Sequence, residues 1–225
     1  MPTDYSDARK HPKSPPIGPS LPLTGPYELG LKRVFDVVCV LLSLPFVAPL
    51  IGIFALIVSL DGSGAFYRQD RVGRNGRIYR IWKLRTMVPN AEAMLQEYLS
   101  ENPNAAAEWE LTQKLKQDPR ITKIGSMLRK NSIDELPQLW NVLIGDMSLV
   151  GPRPMMPEQE ALYPGLSYYL QRPGITGSWQ VSERNECTFA DRARFDTAYI
   201  ANMSFANDLK LLFATVRVVV KGTGY

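Results

Sequence analysis

The sequence predicts a mixed α/β protein, mainly helical, in which a re-entrant membrane helix carries a small cytoplasmic domain. The domain is expected to contain a short β-hairpin and amphipathic interfacial helices. Three observations predict this class. Val34–Leu60 is an apolar run long enough to enter a bilayer. Asn75-Gly76 is a strong hairpin turn signal, and later segments carry apolar residues at helical spacing.

The chain divides into three predicted parts, 1–26, 27–60 and 61–225. Seven prolines in the first part interrupt any apolar periodicity, so we expect a disordered tail. The second part is the membrane element. The third is long enough, within a chain of 225 residues, for one medium cytoplasmic domain.

Two prolines, Pro45 and Pro49, lie in the middle of the apolar run, and each removes a backbone donor and strains the preceding turn. One arrangement is a kinked helix that crosses the bilayer. The other is a helix that breaks near Pro49 and leaves on the side it entered. Lys32 and Arg33 precede the run and a basic segment follows it, so the charge favours cytoplasmic flanks and a re-entrant helix.

The first half of the domain carries three local signals. Residues 65–85 are predicted to form the β-hairpin, because apolar and aromatic residues flank the turn. Residues 90–100 are predicted to form a helix from their apolar spacing. Asp118-Pro119 has the pattern of an N-cap followed by a first-turn proline, which predicts a short helix over 118–129.

The second half begins with Ser132 and Glu135, which have the spacing of a capping box and predict another helix. Residues 145–185 are rich in glycine and proline, so we expect loops and turns there. Helices are predicted over 191–199 and 204–221. The last is apolar enough to lie on a membrane surface or to pack under the domain.

The charge, cysteine and histidine content limits the kinds of ligand and catalytic site that we expect. The 26 Lys and Arg against 22 Asp and Glu suit an anionic membrane face or an anionic substrate, but the excess is too small and dispersed to predict nucleic-acid binding. Cys39 and Cys187 are far apart, so we expect free thiols in a reducing compartment. The single histidine, His11, lies in the predicted tail, which argues against histidine-based catalysis and histidine-ligated zinc.

Asp134-Glu135 is the first candidate site. Two adjacent carboxylates at a helix start are kept ionised by the helix dipole. One is suited to attack a phosphorus centre while the other holds a divalent cation. The alternative is a structural role, since acidic residues are common in a first helical turn.

Basic residues form the second candidate group. Pro152 and Pro154 flank Arg153, and a rigidly presented guanidinium suits bidentate phosphate recognition, although a solvated surface turn explains the pattern equally well. Basic residues also recur at every third position from Arg68 to Lys83. That spacing alternates faces on a strand, so of this series we predict only Lys83 as a site residue.

Residues 171–185 form a weaker candidate, with Gln180, Arg184 and Asn185 as contacts to a nucleotide base or sugar. A structural loop is the alternative for this segment.

At these residues the chain resembles the bacterial sugar transferase family, the monotopic phosphoglycosyl transferases. The similarity runs from about Leu31 to the C-terminus. Long motifs in the same order carry it: KRVFDVV, FYRQDRVGRNGRIYRIWKLRTM, DPRITKIGSMLRKNSIDELPQLWNVLIGDMSLVGPRP, RPGITGSWQV and FDTAYIANMSFANDLKLL.

The resemblance implies a monotopic enzyme of the bacterial inner membrane whose catalytic domain faces the cytoplasm. Such enzymes transfer a sugar-1-phosphate from a UDP-sugar to undecaprenyl or another polyprenyl phosphate, release UMP and initiate exopolysaccharide or surface glycan assembly. By resemblance Asp134 is the nucleophile that forms a covalent phosphosugar intermediate. Glu135 is its Mg²⁺-associated partner, so both carboxylates are the predicted metal site. Arg153, Arg129 and Lys83 are the predicted phosphate-binding residues.

Two rival functions stay open at this stage. One is a non-catalytic membrane adaptor that binds anionic lipid, and the other is a membrane-bound phosphohydrolase that uses the same aspartate. The sequence also leaves the sugar open between glucose, galactose and others. Inner-membrane lipids are expected partners, and a homodimer through the C-terminal apolar helix is one of the oligomeric states that the sequence leaves open.

Overall fold

The computed structural model describes residues 25–112, 115–182 and 189–220. It confirms a mixed α/β fold that is mainly helical, with one long apolar helix near the start of the chain and a small antiparallel hairpin. The predicted tail, apart from its last two residues, lies outside the described residues.

The long helix, α1, follows a π-helical turn at Tyr27–Leu31. In chain order the regular elements are α1 (Lys32–Ser59), β1 (Phe66–Val72), β2 (Ile78–Leu84), α2 (Ala91–Glu101), α3 (Pro103–Thr112), α4 (Lys123–Lys130), α5 (Gln138–Ile144), β3 (Ser148–Val150), α6 (Ser167–Leu170), β4 (Gly174–Thr176), α7 (Ser178–Val181), α8 (Arg192–Ala201) and α9 (Phe205–Val220).

The predicted hairpin is confirmed. Strands β1 and β2 pair antiparallel, from Phe66 opposite Leu84 to Val72 opposite Ile78. Asn75 and Gly76 both take positive φ in the turn, 58° and 75°, which is the backbone conformation that this residue pair favours.

The prediction of loops and turns over 145–185 is only partly right. Within that range β3 and β4 form a short parallel pair, and α6 and α7 are short helices. Gly151 explains the tight packing after β3, because a Cβ there would lie 2.4 Å from the carbonyl oxygen of Arg172. Residues 183–188, which include the predicted Arg184 and Asn185, lie outside the described residues.

The predicted start of the helix at Asp118 is wrong. Helix α4 begins at Lys123, and Thr122 is its N-cap, accepting a hydrogen bond from the Gly125 amide. The Asp118 carboxylate instead accepts hydrogen bonds from the backbone N and the Nε of Arg120, at 3.0 and 2.8 Å. Helix α3 was not predicted, whereas the helices expected over 90–100, 191–199 and 204–221 are present as α2, α8 and α9.

The first part of α1 is fastened to the domain by a buried carboxylate on α9. Asp208 is fully buried and accepts hydrogen bonds from Lys32 Nζ at 2.5 Å, Tyr27 OH at 2.7 Å and Tyr199 OH at 2.8 Å. One turn further along α1, Asp36 accepts from the Ser148 hydroxyl at 2.7 Å. These contacts tie α1 to α9 and to β3.

The far end of α1 is also fastened to the domain. Val58 packs with Leu84 and Leu128 in one buried cluster. The Arg85 guanidinium donates to the Val58 carbonyl at 2.9 Å and to both carboxylate oxygens of Asp61 just beyond the helix. Both ends of α1 therefore contact the same domain.

Between its ends α1 presents apolar side chains to solvent, and no other helix among the described residues is long and apolar enough to span a membrane. Its mean hydropathy over the most apolar window is 2.6, and only 6% of that window is buried. Exposed large side chains include Leu41, Leu42, Phe46, Ile53 and Leu56. Helix α9 packs under the domain through Leu211, which is buried, whereas its Phe213 and Val216 are exposed.

We expect Asp208→Ala to destabilise the folded chain by about 3–5 kcal/mol, because it leaves the buried Lys32 ammonium without its partner. Thermal unfolding of the chain in lipid nanodiscs, followed by circular dichroism, measures this. Asp70→Ala is the matched control. Its ion pair with Arg80 is exposed, so we expect a change of about 0.5 kcal/mol or less. Equal effects of the two variants would contradict the anchoring role of Asp208.

Candidate active site

The two candidate carboxylates lie in a single 3₁₀ turn, Ile133–Glu135, between α4 and α5. Ser132, before the turn, takes a left-handed backbone conformation with φ of 54°, and its side chain makes no capping hydrogen bond. The capping-box prediction is therefore wrong. Glu135 is free to use its carboxylate elsewhere, which weakens the purely structural explanation of the acidic pair.

A lysine on β2 binds that carboxylate. Lys83 Nζ lies 2.8 Å from Glu135 Oε1 and 3.9 Å from Asp134 Oδ2. Arg153 Nη2 approaches the same Glu135 oxygen at 3.5 Å. The structure thus brings together four of the predicted site residues, with Asp134 buried to 6% exposure beneath them.

The two carboxyl groups are in different electrostatic states. Burial raises the pKa of Asp134 above its usual range, and Lys83 offsets this only in part. Burial also raises the pKa of Glu135, but Lys83 and Arg153 outweigh it and lower the pKa to about 2. Glu135 is thus held firmly as an ion-paired carboxylate, while Asp134 is the more basic of the pair.

Arg129, also predicted, reaches the site from the last turn of α4. Its Nε donates to the Thr86 hydroxyl at 2.8 Å, and its charge acts to lower the pKa of Asp134. Burial lowers the pKa of Arg129 itself, and the charge of Asp134 is the largest influence that opposes this. Helix α4 packs closely against Thr86 because residue 125 is glycine. A Cβ on Gly125 would lie only 2.0 Å from the Thr86 carbonyl oxygen.

Arg153 is presented by the segment that follows β3, between Pro152 and Pro154, as the sequence predicts. Its guanidinium carbon lies 6.0 Å from the centre of the Trp179 ring. Arg192, on α8, stacks on the same ring at 4.3 Å. Trp179 therefore lies against two guanidinium groups beside the carboxylates.

Gln180 is the predicted nucleotide contact that the structure describes. It is buried, and its Nε2 lies 3.4 Å from the Ile175 carbonyl oxygen. That contact joins α7, which carries Gln180, to β4.

Sequence reasoning missed Arg71 and Gln138. Together with Lys83, Glu135 and Arg153 they line a small cavity of about 20 Å³, room for about one water molecule. Gln138 follows Glu135 at a spacing of three, so both lie on one face of the chain as α5 begins, and this was the available signal. The threefold spacing of the basic series predicts no shared face on a strand, so it does not distinguish Arg71 from the other members.

A larger open depression of about 490 Å³ lies beside α8 and α9. Its lining is mostly small and polar, with Ser178, Asn202, Asn207 and Lys210 among its residues. It lacks the paired carboxylates and guanidinium groups, so the charged cavity is the better candidate for chemistry.

The carboxylate pair is suited to magnesium only when a ligand completes the site. Among the described residues, no group of three or more His, Cys, Asp or Glu side chains could hold a metal ion. Mg²⁺ is commonly held by one or two carboxylates together with substrate phosphates. Asp134 and Glu135 match that donor set, because the phosphates would supply the remaining oxygen ligands.

A profile of the bacterial sugar transferase family matches residues 27–222. The chain belongs to this family. The match includes α1, the hairpin and every residue of the charged cavity, in agreement with the extent predicted from the motifs.

Two relatives match only through part of their length. The chain is 47% identical over 196 residues to a protein named undecaprenyl-phosphate galactose phosphotransferase from Salmonella typhimurium. It is also 47% identical over 196 residues to one named UDP-galactose-lipid carrier transferase from Erwinia amylovora. Each alignment covers 86% of this chain and 41% of the relative.

A third relative is similar over most of both chains. The exopolysaccharide production protein ExoY of Sinorhizobium fredii is 45% identical over 199 residues, which is 86% of this chain and 87% of that protein.

Proposed function

We propose that this chain transfers a sugar-1-phosphate from a UDP-sugar to undecaprenyl phosphate, or another polyprenyl phosphate, and thereby initiates exopolysaccharide or surface glycan assembly. The observation that carries the proposal is the carboxylate pair, with Asp134 buried and Glu135 half-buried, held among Lys83, Arg129 and Arg153. The names of the Salmonella and Erwinia relatives support the substrate classes, and that of the Sinorhizobium relative supports the pathway.

In the proposed first step Asp134 is the nucleophile. Its carboxylate oxygen forms a bond to the β-phosphorus of the donor while the bond from that phosphorus to the bridging oxygen breaks. UMP leaves with the bonding electrons, and a phosphosugar remains on Asp134. Asp134 is better suited to attack than Glu135, because Glu135 is engaged by Lys83 and Arg153.

In the proposed second step a phosphate oxygen of the polyprenyl phosphate attacks the same phosphorus. The bond to Asp134 breaks, the carboxylate is regenerated, and the lipid-linked sugar diphosphate is released. Lys83, Arg129 and Arg153 are placed to stabilise the negative charge that spreads over the phosphoryl oxygens in both steps. A covalent intermediate of this kind gives ping-pong kinetics.

Mg²⁺ is part of the proposal, with Glu135 and Asp134 as its protein ligands. When bound, it would neutralise diphosphate charge that otherwise repels an attacking carboxylate. In the free site Lys83 and Arg153 hold Glu135, so they have to release it when the donor and the cation enter.

We further propose that α1 is re-entrant, with the catalytic domain on the cytoplasmic face of the bacterial inner membrane. Val40 belongs to the buried cluster that contains Ile81 of β2, and Val58 to the one that contains Leu84. A straight helix would separate the two valines by about 27 Å, whereas Ile81 and Leu84 are about 10 Å apart on an extended strand. A bend at Pro45 and Pro49, which lie between the two valines, would bring the valines closer together and so match their separation better to that of Ile81 and Leu84.

The position of the site relative to the membrane follows from the same arrangement. A helix that enters and leaves on one side keeps the domain against the head groups, with the exposed apolar face of α9 as a second contact. The phosphate of a polyprenyl lipid lies at that depth. The adaptor alternative leaves the buried, ion-paired carboxylates without a role.

We expect transfer of labelled sugar phosphate to undecaprenyl phosphate, with Mg²⁺, from at least one of UDP-glucose, UDP-galactose and UDP-N-acetylgalactosamine. Asp134→Asn should reduce the rate by roughly 10³-fold or more, because the amide is a poor nucleophile. Asp70→Asn, at an exposed carboxylate, is the control and should keep wild-type turnover.

Full turnover by Asp134→Asn would contradict the nucleophile. Sugar phosphate released to water without a lipid product would indicate the phosphohydrolase. Neither product from a folded chain, with all three donors, would favour the adaptor.

We expect the acid limb of the pH–rate profile to lie above the pKa of about 4 that is usual for aspartate, because burial raises the pKa of Asp134. Lys83 lowers that pKa, so Lys83→Met should raise it further. The ionised fraction at a given acidic pH then falls, and the acid limb moves to higher pH. The kcat/KM for UMP release between pH 5 and 9 measures this. Arg80→Met, on the exposed side of the same strand, is the control, and a limb that stays or moves lower in Lys83→Met would contradict the assignment.

We expect cysteines placed on both sides of α1, at Leu29 and at Ser63, to react with an impermeant maleimide only after the cells are opened. Cys39 and Cys187 are replaced by serine for this measurement, and spheroplasts are compared with permeabilised cells. A periplasmic protein with an exposed cysteine controls for reagent access. Labelling of one position in intact spheroplasts would show a crossing helix and contradict the re-entrant arrangement.

A further inference from the structure

The charged cavity contains hydrogen-bond donors without acceptors. Arg71 Nε and Gln138 Nε2 are buried, and neither has a partner among the described residues. Gln138 is only 2% exposed. Leaving a buried donor unpaired costs about 1–3 kcal/mol, so such groups commonly mark a binding site.

Arg71 is held in position for a ligand. It lies on β1, and its Nη2 donates to the Gln69 side-chain oxygen at 2.5 Å. Gln69 in turn contacts the Met156 sulfur. The Nε of Arg71 is left without a partner, as is the Nε2 of Gln138, and both residues line the same cavity.

Positive charge exceeds negative charge around the cavity. Three cationic side chains, Arg71, Lys83 and Arg153, line it beside one carboxylate, Glu135. Burial lowers the pKa of Arg71, and the charge of Arg153 lowers it further. Burial likewise lowers the pKa of the neighbouring Arg192 to about 10, and Arg153 adds to this. A multiply charged anion would relieve this repulsion.

The free cavity has no room for such an anion, since it holds about one water molecule. Lys83 and Arg153 fill the space by pairing with Glu135. An entering anion can take these two cations from Glu135 and meet Arg71 and Gln138 as well. Four donor side chains from separate parts of the chain are then available to the anion, enough to contact two linked phosphate groups.

We propose that Arg71 and Gln138 are diphosphate-binding residues, and that with Lys83 and Arg153 they form a cleft that recognises both phosphates of the nucleotide-sugar donor. The identity of the donor rests on the proposed function, whereas recognition of a diphosphate group does not. Gln138 contributes a neutral hydrogen-bond donor and Arg71 a charged one. Both would stabilise the bound anion, and neither takes part in the bond-forming steps of the transfer.

The test is calorimetric titration of inorganic pyrophosphate and of UDP into the full chain in lipid nanodiscs, with Mg²⁺. We expect Arg71→Ala and Gln138→Leu each to weaken both ligands by roughly tenfold or more, the loss of a hydrogen bond to a charged group. In transfer assays the KM for the donor should rise by a larger factor than kcat falls.

Two matched controls separate binding from folding. Arg68→Ala removes an exposed arginine of the same strand, which stacks on Trp82 instead. Gln171→Leu removes a second buried glutamine with an unpaired amide, which does not line the cavity. We expect both controls to bind pyrophosphate and UDP as wild type does, and Arg71→Lys to recover part of the lost affinity.

Unchanged affinity for pyrophosphate and UDP in Arg71→Ala and Gln138→Leu would overturn the cleft, even if transfer activity is present. A lowered Tm with unchanged affinity would assign both residues a structural role and also overturn it. Loss of pyrophosphate binding in Arg71→Ala and Gln138→Leu, but not in the two controls, would support the cleft. That result would hold even if no UDP-sugar supported transfer, in which case only the proposed function would fail.

Discussion

The buried ion pair between Lys32 and Asp208 is the contact on which the arrangement of the chain depends. The apolar helix α1 needs a fixed orientation relative to the polar domain, and loosely packed loops cannot fix that orientation. Asp208 is fully buried and is bonded by Lys32, Tyr27 and Tyr199, so every donor that reaches it comes from an element that has to be in place. Breaking such a pair leaves a buried charge, which is a steep penalty for any other orientation of α1.

Strand β2 transmits that orientation to the site. Tyr79 and Ile81 belong to the cluster that receives the first half of α1, and Lys83 on the same face of the strand reaches Glu135. Leu84, on the opposite face, packs with the far end of α1. One seven-residue strand thus packs against both halves of α1 and supplies a cation of the site. The carboxylates are therefore held close to α1, which is where the proposed function needs a lipid phosphate to bind.

Turn residues in the sequence correctly predicted the element that depends only on the conformation of neighbouring residues. Asn75-Gly76 predicted the hairpin because its backbone preference is independent of the rest of the chain. The helix-capping patterns at Asp118 and Glu135 were misleading because other side chains bind the carboxylate oxygens that would have capped a helix. Arg120 takes the Asp118 carboxylate, and Lys83, 52 positions away, takes that of Glu135. The parallel pair of β3 and β4 and the presence of Arg71 and Arg153 in one cavity with Gln138 depend on contacts between remote segments, which spacing in the sequence does not encode.

The ion pairs of the free site also suit it to the two kinds of ligand that we propose for this small cavity. Lys83 and Arg153 neutralise Glu135 while the site is empty, so no uncompensated carboxylate has to be buried. An entering phosphate competes with Glu135 for the same two cations. When it succeeds, Glu135 becomes available to a divalent cation, and the cation in turn favours the phosphate. Binding of the anion and of the cation should therefore be mutually reinforcing, since coupling between two sites is reciprocal. Asp134 is the more basic carboxyl of the free site, because Lys83 lies closer to Glu135 than to Asp134.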